Sequence, residues 1–188
     1  MFQKFPLILK IGIVCCSTLF ALSCAIWIYC FEQARSSILV AALLEFILTW
    51  SLIFGAFVFY QTFKYFRLPK RFYRQLPFEK TAFFRRIGVL QFRKILINSF
   101  FRHLNPRVYV RKRSRDEFLR LIEETKQAET SHLLSGLVTF IFQILYLFND
   151  HFLSFCLLSF FNLVFNLYPL LLQRCNRFQF LAKLDKFS

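Results

Sequence analysis

Apolar residues fall in four long blocks, Leu7–Phe31, Ile38–Phe63, Leu133–Phe148 and Phe152–Leu172, separated by stretches in which charge returns. A helix needs about 20 apolar residues to cross the hydrocarbon of a bilayer. The first, second and fourth blocks meet that length, and the third is short by itself. What precedes it makes up the difference. Ser114-Arg115-Asp116-Glu117 has the form of a capping box, with Ser at the cap and Glu three residues on. Phe118, Leu121 and Ile122 then recur at helical spacing, and neither Gly nor Pro intervenes before Gly136. One helix is therefore expected to rise from Ser114 straight into the third block. The spans become 7–31, 38–63, 129–148 and 152–173, with a charged segment, 64–128, between the second and third. The pattern predicts an all-α integral membrane protein with four transmembrane helices, forming a single membrane domain over residues 1–188.

Two of these helices carry polar stripes. Thr125, Glu129, His132, Gly136, Thr139 and Gln143 are spaced 4, 3, 4, 3 and 4 apart, and so share one face of the third span. Ser159, Asn162, Asn166, Pro169, Gln173 and Asn176 do the same on the fourth. The connection between the two is very short, Asn149-Asp150-His151, so they must be antiparallel neighbours. A polar stripe facing lipid is unfavourable, and packing the two against each other removes the problem. Pro169 interrupts the backbone ladder near Asn166, freeing groups that polar neighbours can satisfy.

Charge orients the spans. Residues 64–128 hold 18 Lys/Arg against 5 Asp/Glu, while the connections between spans 1 and 2 and between spans 3 and 4 hold almost no base. Lys4 and Lys10 near the start, and Arg174, Arg177, Lys183 and Lys186 near the end, add to the same side. The positive-inside rule puts both termini and the central segment in the cytoplasm of a multi-pass protein of the cell (inner) membrane. The first block runs past Ser23-Cys24-Ala25 to Tyr29, longer than a signal h-region, and is expected to be an uncleaved anchor.

Within the central segment, Lys64–Arg74 interleaves bases with aromatics, which suits rings at the interface and bases on anionic headgroups. Nucleic acid could use the same composition, but a segment tethered between spans points to membrane lipids as the partner. Residues Thr81–His103 are expected to form one or two short interfacial helices. Composition agrees: 57% of 188 residues are hydrophobic, and 29 Phe stand against 4 Gly, which excludes an ordinary soluble domain.

The six Cys form no C-x-x-C and lie mostly in apolar runs, as small hydrophobes. A single Glu-x-x-His and three His in all are too few for a di-iron bundle, so no metal is expected. No G-x-S-x-G offers a nucleophilic serine. Glu45, a lone acid inside the second span, either pairs with a polar partner such as His151 or marks a pathway.

The chemistry-bearing groups then gather at one edge. His132 opens the third span and Gln173 closes the fourth, so Glu129, His132, Gln173, Arg174, Asn176 and Arg177 are candidates for one pocket. A carboxylate beside an imidazole raises its basicity and fixes its orientation, which suits a general base. Two arginines suit an anionic substrate or a developing oxyanion. The competing reading is that the stripes only glue the helices and that Glu129 pairs with Arg174 or Lys126.

At these positions Glu124-Thr125-Lys126-x-Ala128-Glu129-x-x-His132, followed by Asn166-x-x-Pro169-x-x-x-Gln173-Arg174-x-Asn176-Arg177, resembles the glycosyl-4,4'-diaponeurosporenoate acyltransferases of staphyloxanthin-type carotenoid synthesis. The likeness extends over about residues 73–178. It implies transfer of a fatty acyl group from acyl-CoA or another acyl thioester to a sugar hydroxyl of a glycosylated carotenoid or similar glycolipid, with no cofactor. His132 and Glu129 would be catalytic, and Asn166, Gln173, Arg174, Asn176 and Arg177 would bind substrate. The alternative class is a non-enzymatic scaffold or transport component that holds anionic lipids on its basic segment.

Overall fold

The computed structural model describes residues 38–62, 68–99 and 114–187, and every regular element among them is helical. The first expected span, 7–31, lies outside the described residues. Helix α1 is Ile38–Thr62. After a 3-10 turn at Lys70–Tyr73 come two short helices, α2 (Thr81–Arg86) and α3 (Val89–Asn98). They divide at Gly88, whose φ of 81° is one that side chains with a Cβ rarely adopt. Helix α4 is Arg115–Phe148, 34 residues without a break. The last stretch is α5 (Phe152–Asn162), a π segment (Leu163–Leu167) and α6 (Tyr168–Leu184).

The start of α4 follows the sequence. Ser114 Oγ accepts from the Glu117 amide at 3.3 Å, the first half of a capping box. The Glu117 carboxylate also takes Arg120 at 2.7 Å. At 1.5 Å per residue α4 is about 50 Å long, well beyond the roughly 30 Å of hydrocarbon. Its charged first half therefore has room to leave the bilayer while its apolar second half spans it. α1, α4 and the α5–α6 stretch are the three described elements long and apolar enough to cross a membrane.

The described residues form two compact units. The first holds α1 and residues 131–167. Here α1 packs on α5, and Leu44, Leu48, Tyr146 and Leu158 form the core. Phe46 meets the rings of Phe161 and Phe165 edge-on at 5.8 and 5.7 Å. Outward positions such as Leu39 (78% exposed) and Phe148 (80%) are apolar, which water would penalise and lipid does not. The turn from α4 to α5 closes through His151 N–H to the Tyr146 carbonyl at 3.0 Å, with Asp150 in the left-handed region at φ 58°. This is a Schellman turn on an Asp, a residue that tolerates that conformation.

The second unit holds the described residues of 68–130 and 168–188. Helices α2 and α3 pack on α6, burying Phe84, Val89, Leu172 and Cys175 together. Phe118, Leu121, Ile122 and Phe180 form a second cluster. Tyr168 donates to the Ile87 carbonyl at 3.0 Å and so ties α6 to the α2–α3 turn. The exposed positions of α2 and α3 mix the bases Arg85, Arg86 and Lys94 with apolar Ile95, which is 64% exposed.

Candidate active site

In the first unit the two polar stripes do meet. Asn166 is buried at the centre of the seam. It accepts from Ser135 Oγ and donates to Asn162 Oδ1 at 2.9 Å. Asn162 donates in turn to the Gly136 carbonyl at 3.3 Å. Gln143 and Ser159 continue the chain at 3.3 Å. Gly136 is the point of closest approach: a Cβ there would sit 3.3 Å from Asn166 Cβ and 3.5 Å from Asn162 Oδ1. Gly136→Leu is therefore expected to force the helices apart and lower stability by about 1–3 kcal/mol, read as a fall in melting temperature in detergent.

His132 stands at one end of this seam. The Asn166 side chain and the Phe165 backbone lie beside its imidazole. Its Nδ1 is buried and has no hydrogen-bond partner among the described residues. Phe165 would ordinarily accept from the amide four residues on, and that residue is Pro169, which has no N–H. The ladder loosens into the π segment Leu163–Leu167 just before it.

In the second unit a buried ion cluster ties three stretches of chain together. Arg174 donates Nε and Nη2 to the two oxygens of Glu79, at 2.6 and 2.8 Å. Its Nη1 reaches Glu129 Oε1 at 2.7 Å and the Phe72 carbonyl at 3.0 Å, and Nη2 also reaches the Arg74 carbonyl at 3.1 Å. All five donor hydrogens of the guanidinium thus have acceptors within the chain. Arg177 takes the other oxygen of Glu129 and donates to the Tyr73 carbonyl at 3.2 Å. Its guanidinium stacks between the rings of Tyr73 and Phe178 at 5.3 and 5.1 Å. Glu79, Glu129, Arg174 and Arg177 are all buried, so two positive charges balance two negative ones out of water.

Burial by itself would raise the Glu79 carboxyl. Hydrogen bonds from Arg174 and the Leu76 amide, with both guanidinium charges nearby, outweigh it and hold the group below its ordinary 4.5. A carboxyl lowered by folding contributes stability that is complete above its unfolded value and is lost as pH falls through the folded one. Melting temperature should therefore drop on acidification below about pH 4.5, and Glu79→Gln should flatten that part of the curve.

The structure brings Glu129, Arg174 and Arg177 together, the pairing of Glu129 with Arg174 being one of the two readings of the stripe. It also brings His132 and Asn166 together. Asn176 is buried and Gln173 half-buried on α6, in the second unit. Glu45 is fully buried on α1. Sequence reasoning missed Glu79, although it is the lone acid among the bases of 67–86. It also missed the backbone carbonyls of 72–74, which no side-chain pattern announces.

A family model described as CrtO, glycosyl-4,4'-diaponeurosporenoate acyltransferase, matches residues 69–186. The match takes in α2, α3, both polar stripes, His132 and the whole ion cluster. No curated protein and no solved structure matches the chain. Membership in such a family implies an acyltransferase of carotenoid biosynthesis, with a carotenoid glycoside as acceptor and an acyl donor. With its family match covering well over half of the 188 residues, the chain belongs to the glycosyl-4,4'-diaponeurosporenoate acyltransferase family.

Proposed function

We propose that this protein esterifies a sugar hydroxyl of a glycosylated carotenoid with a fatty acyl group taken from an acyl thioester, and that His132 is the base. The observation that carries the reading is an imidazole at the end of a buried polar seam, beside Asn166, with a buried Nδ1 that has no partner among the described residues. In the neutral tautomer that carries its proton on Nε2, this bare nitrogen is an acceptor for a hydroxyl proton. The sugar oxygen attacks the thioester carbonyl, the C–S bond breaks, and the proton passes from His132 to the departing thiolate. The products are an ester and a free thiol, so no external oxidant or metal is needed to balance the step.

Asn166 orients the imidazole in this reading. Glu129 works at one remove: both of its oxygens are occupied by arginines, and it holds Arg174 and Arg177 in place. Arg174 has no donor hydrogen to spare, which supports a positioning role for it rather than direct contact with substrate. Both termini and the basic segment 64–128 face the cytoplasm in the orientation we infer, since that segment carries 18 Lys/Arg against 5 Asp/Glu. A thioester bearing phosphates would be attracted to that side.

The test is the ester itself. Membranes containing the chain are given a carotenoid glycoside and an acyl thioester, and the acylated glycoside is followed together with thiol release. Wild-type protein should yield both in equal amounts, and His132→Gln neither. A non-enzymatic scaffold would give no ester with either chain.

A further inference from the structure

We propose that the turn 75–80 is a lipid-inserting tip that selects anionic headgroups: Leu76, Pro77 and Phe78 enter the acyl boundary of the bilayer, and the bases around them hold lipid phosphates. The claim is independent of the acyl-transfer chemistry and of the role of His132.

The corners of a turn that faces water are usually small or polar. Here Pro77 supplies the fixed φ suited to the second turn position, and its neighbours are large and apolar. Leu76 is 45% exposed and Phe78 56%. The turn is nevertheless firmly built. The Glu79 amide donates to the Leu76 carbonyl at 3.0 Å, and the Lys80 amide to the Phe78 carbonyl at 2.8 Å. The Leu76 amide donates to Glu79 Oε2 at 2.8 Å, and Gln75 Nε2 to the Glu79 carbonyl at 2.6 Å. Arg174, on α6, grips the same carboxylate at 2.6 Å. The Phe78 ring rests edge-on against Phe83 at 5.2 Å. A tip ordered in advance loses little further freedom when it inserts.

Its surroundings carry one sign of charge. Glu79 is the sole acid between 68 and 99, and it is buried against Arg174. Lys70, Arg71, Arg74, Lys80, Arg85 and Arg86 are all exposed. The acids of α4 have bases of their own, Glu117 and Glu124 on Arg120 and Glu123 on Lys126. A soluble phosphate ligand would use the exposed bases but leave Leu76 and Phe78 in water. An anionic leaflet takes both, with hydrocarbon for the tip and phosphates for the bases beside it. Each base near such a surface is worth about fivefold in occupancy.

The test is a photoreactive probe in the full-length protein, Phe78→benzoylphenylalanine, in bilayers of phosphatidylcholine with about 30% phosphatidylglycerol as the anionic component. Irradiation joins the ring to whatever touches it, and mass spectrometry reads the headgroup of each adduct. Leu76 takes the same probe as a second site, should position 78 not tolerate it. Phe140, exposed on the apolar half of α4, is the reference for lipid met without selection.

Adducts at 78 should be enriched in phosphatidylglycerol at least about threefold over its share of the bilayer, and adducts at 140 not at all. Lys80→Gln, Arg85→Gln and Arg86→Gln together should cut the enrichment at 78 by about half or more. Salt at about 1 M should do the same, because it screens charge beyond about 3 Å. The same headgroup ratio at 78 and 140 overturns the proposal, and so does an absence of lipid adducts at both 76 and 78. Adducts mainly to a second copy of the chain would make the tip a protein contact and overturn it. Loss of the lipid adducts on adding excess coenzyme A would make a soluble phosphate the ligand and overturn it as well.

Discussion

Glu129→Ala is expected to lower stability by about 3–5 kcal/mol, because it strands two buried arginines. Glu129 has no exposed surface and divides its two oxygens between Arg174 and Arg177. Arg174 would keep Glu79 as a counter-charge. Arg177 would keep only the Tyr73 carbonyl and its stacked rings. The loss is that of an uncompensated charge in a low dielectric, not of the pair's net worth. That distinction makes a further expectation. Replacing Glu129 and Arg177 together by apolar residues of similar size should recover much of the loss, since a buried ion pair exchanged for good packing is often neutral. Glu123, six residues earlier on the same helix, is the control. Its side chain is 62% exposed and pairs with Lys126 at 2.6 Å. Such surface pairs contribute about 0–1 kcal/mol, so Glu123→Ala should leave the melting temperature nearly unmoved. Melting of purified protein in one detergent measures all three, and equal shifts for Glu123→Ala and Glu129→Ala would contradict the cluster's role.

His132→Gln should reduce acyl transfer by about 10²–10⁴-fold, the usual contribution of a positioned general base. Glutamine is chosen over alanine because its amide is polar, of similar reach, and can still meet Asn166. The packing of the seam is then preserved, and only the basic nitrogen is removed. KM should change little, since the proton transfer belongs to the transition state rather than to binding. Melting temperature should stay close to wild type. A loss of activity accompanied by an equal loss of folded protein would make His132 a packing residue.

Much of this architecture is legible in the sequence, and the reasons are local. Ser114 announces the start of α4, and 34 residues follow it in one helix. The spacing of Gly136, Gln143, Ser159, Asn162 and Asn166 foretells a polar seam, and those residues do meet across it. Pro169 marks the place where the backbone ladder opens. What escapes the sequence is distant or made of backbone. Glu79 and Arg174 are 95 positions apart, and no periodicity links a turn after Pro77 to the end of the last helix. The carbonyls of Phe72, Tyr73 and Arg74, which complete the shells of the two arginines, have no signature at all. Gly88 divides α2 from α3 where the mixed apolar and basic pattern leaves one helix or two equally open. Ser135, three residues after His132 and four before Thr139, fits the stripe's spacing as well as Gly136 does, and it is the hydroxyl that bonds Asn166.

The account stands most directly on ester formation at a measured level of folded protein. Membranes with equal amounts of wild-type protein and His132→Gln, supplied with the same carotenoid glycoside and acyl thioester, are extracted and weighed by mass spectrometry. Wild type should produce the glycoside heavier by one fatty acid less one water, with one free thiol for each ester. His132→Gln should produce neither above background. Undiminished ester from His132→Gln would contradict the assignment of the base, and no ester from wild type with either substrate class would contradict the reaction.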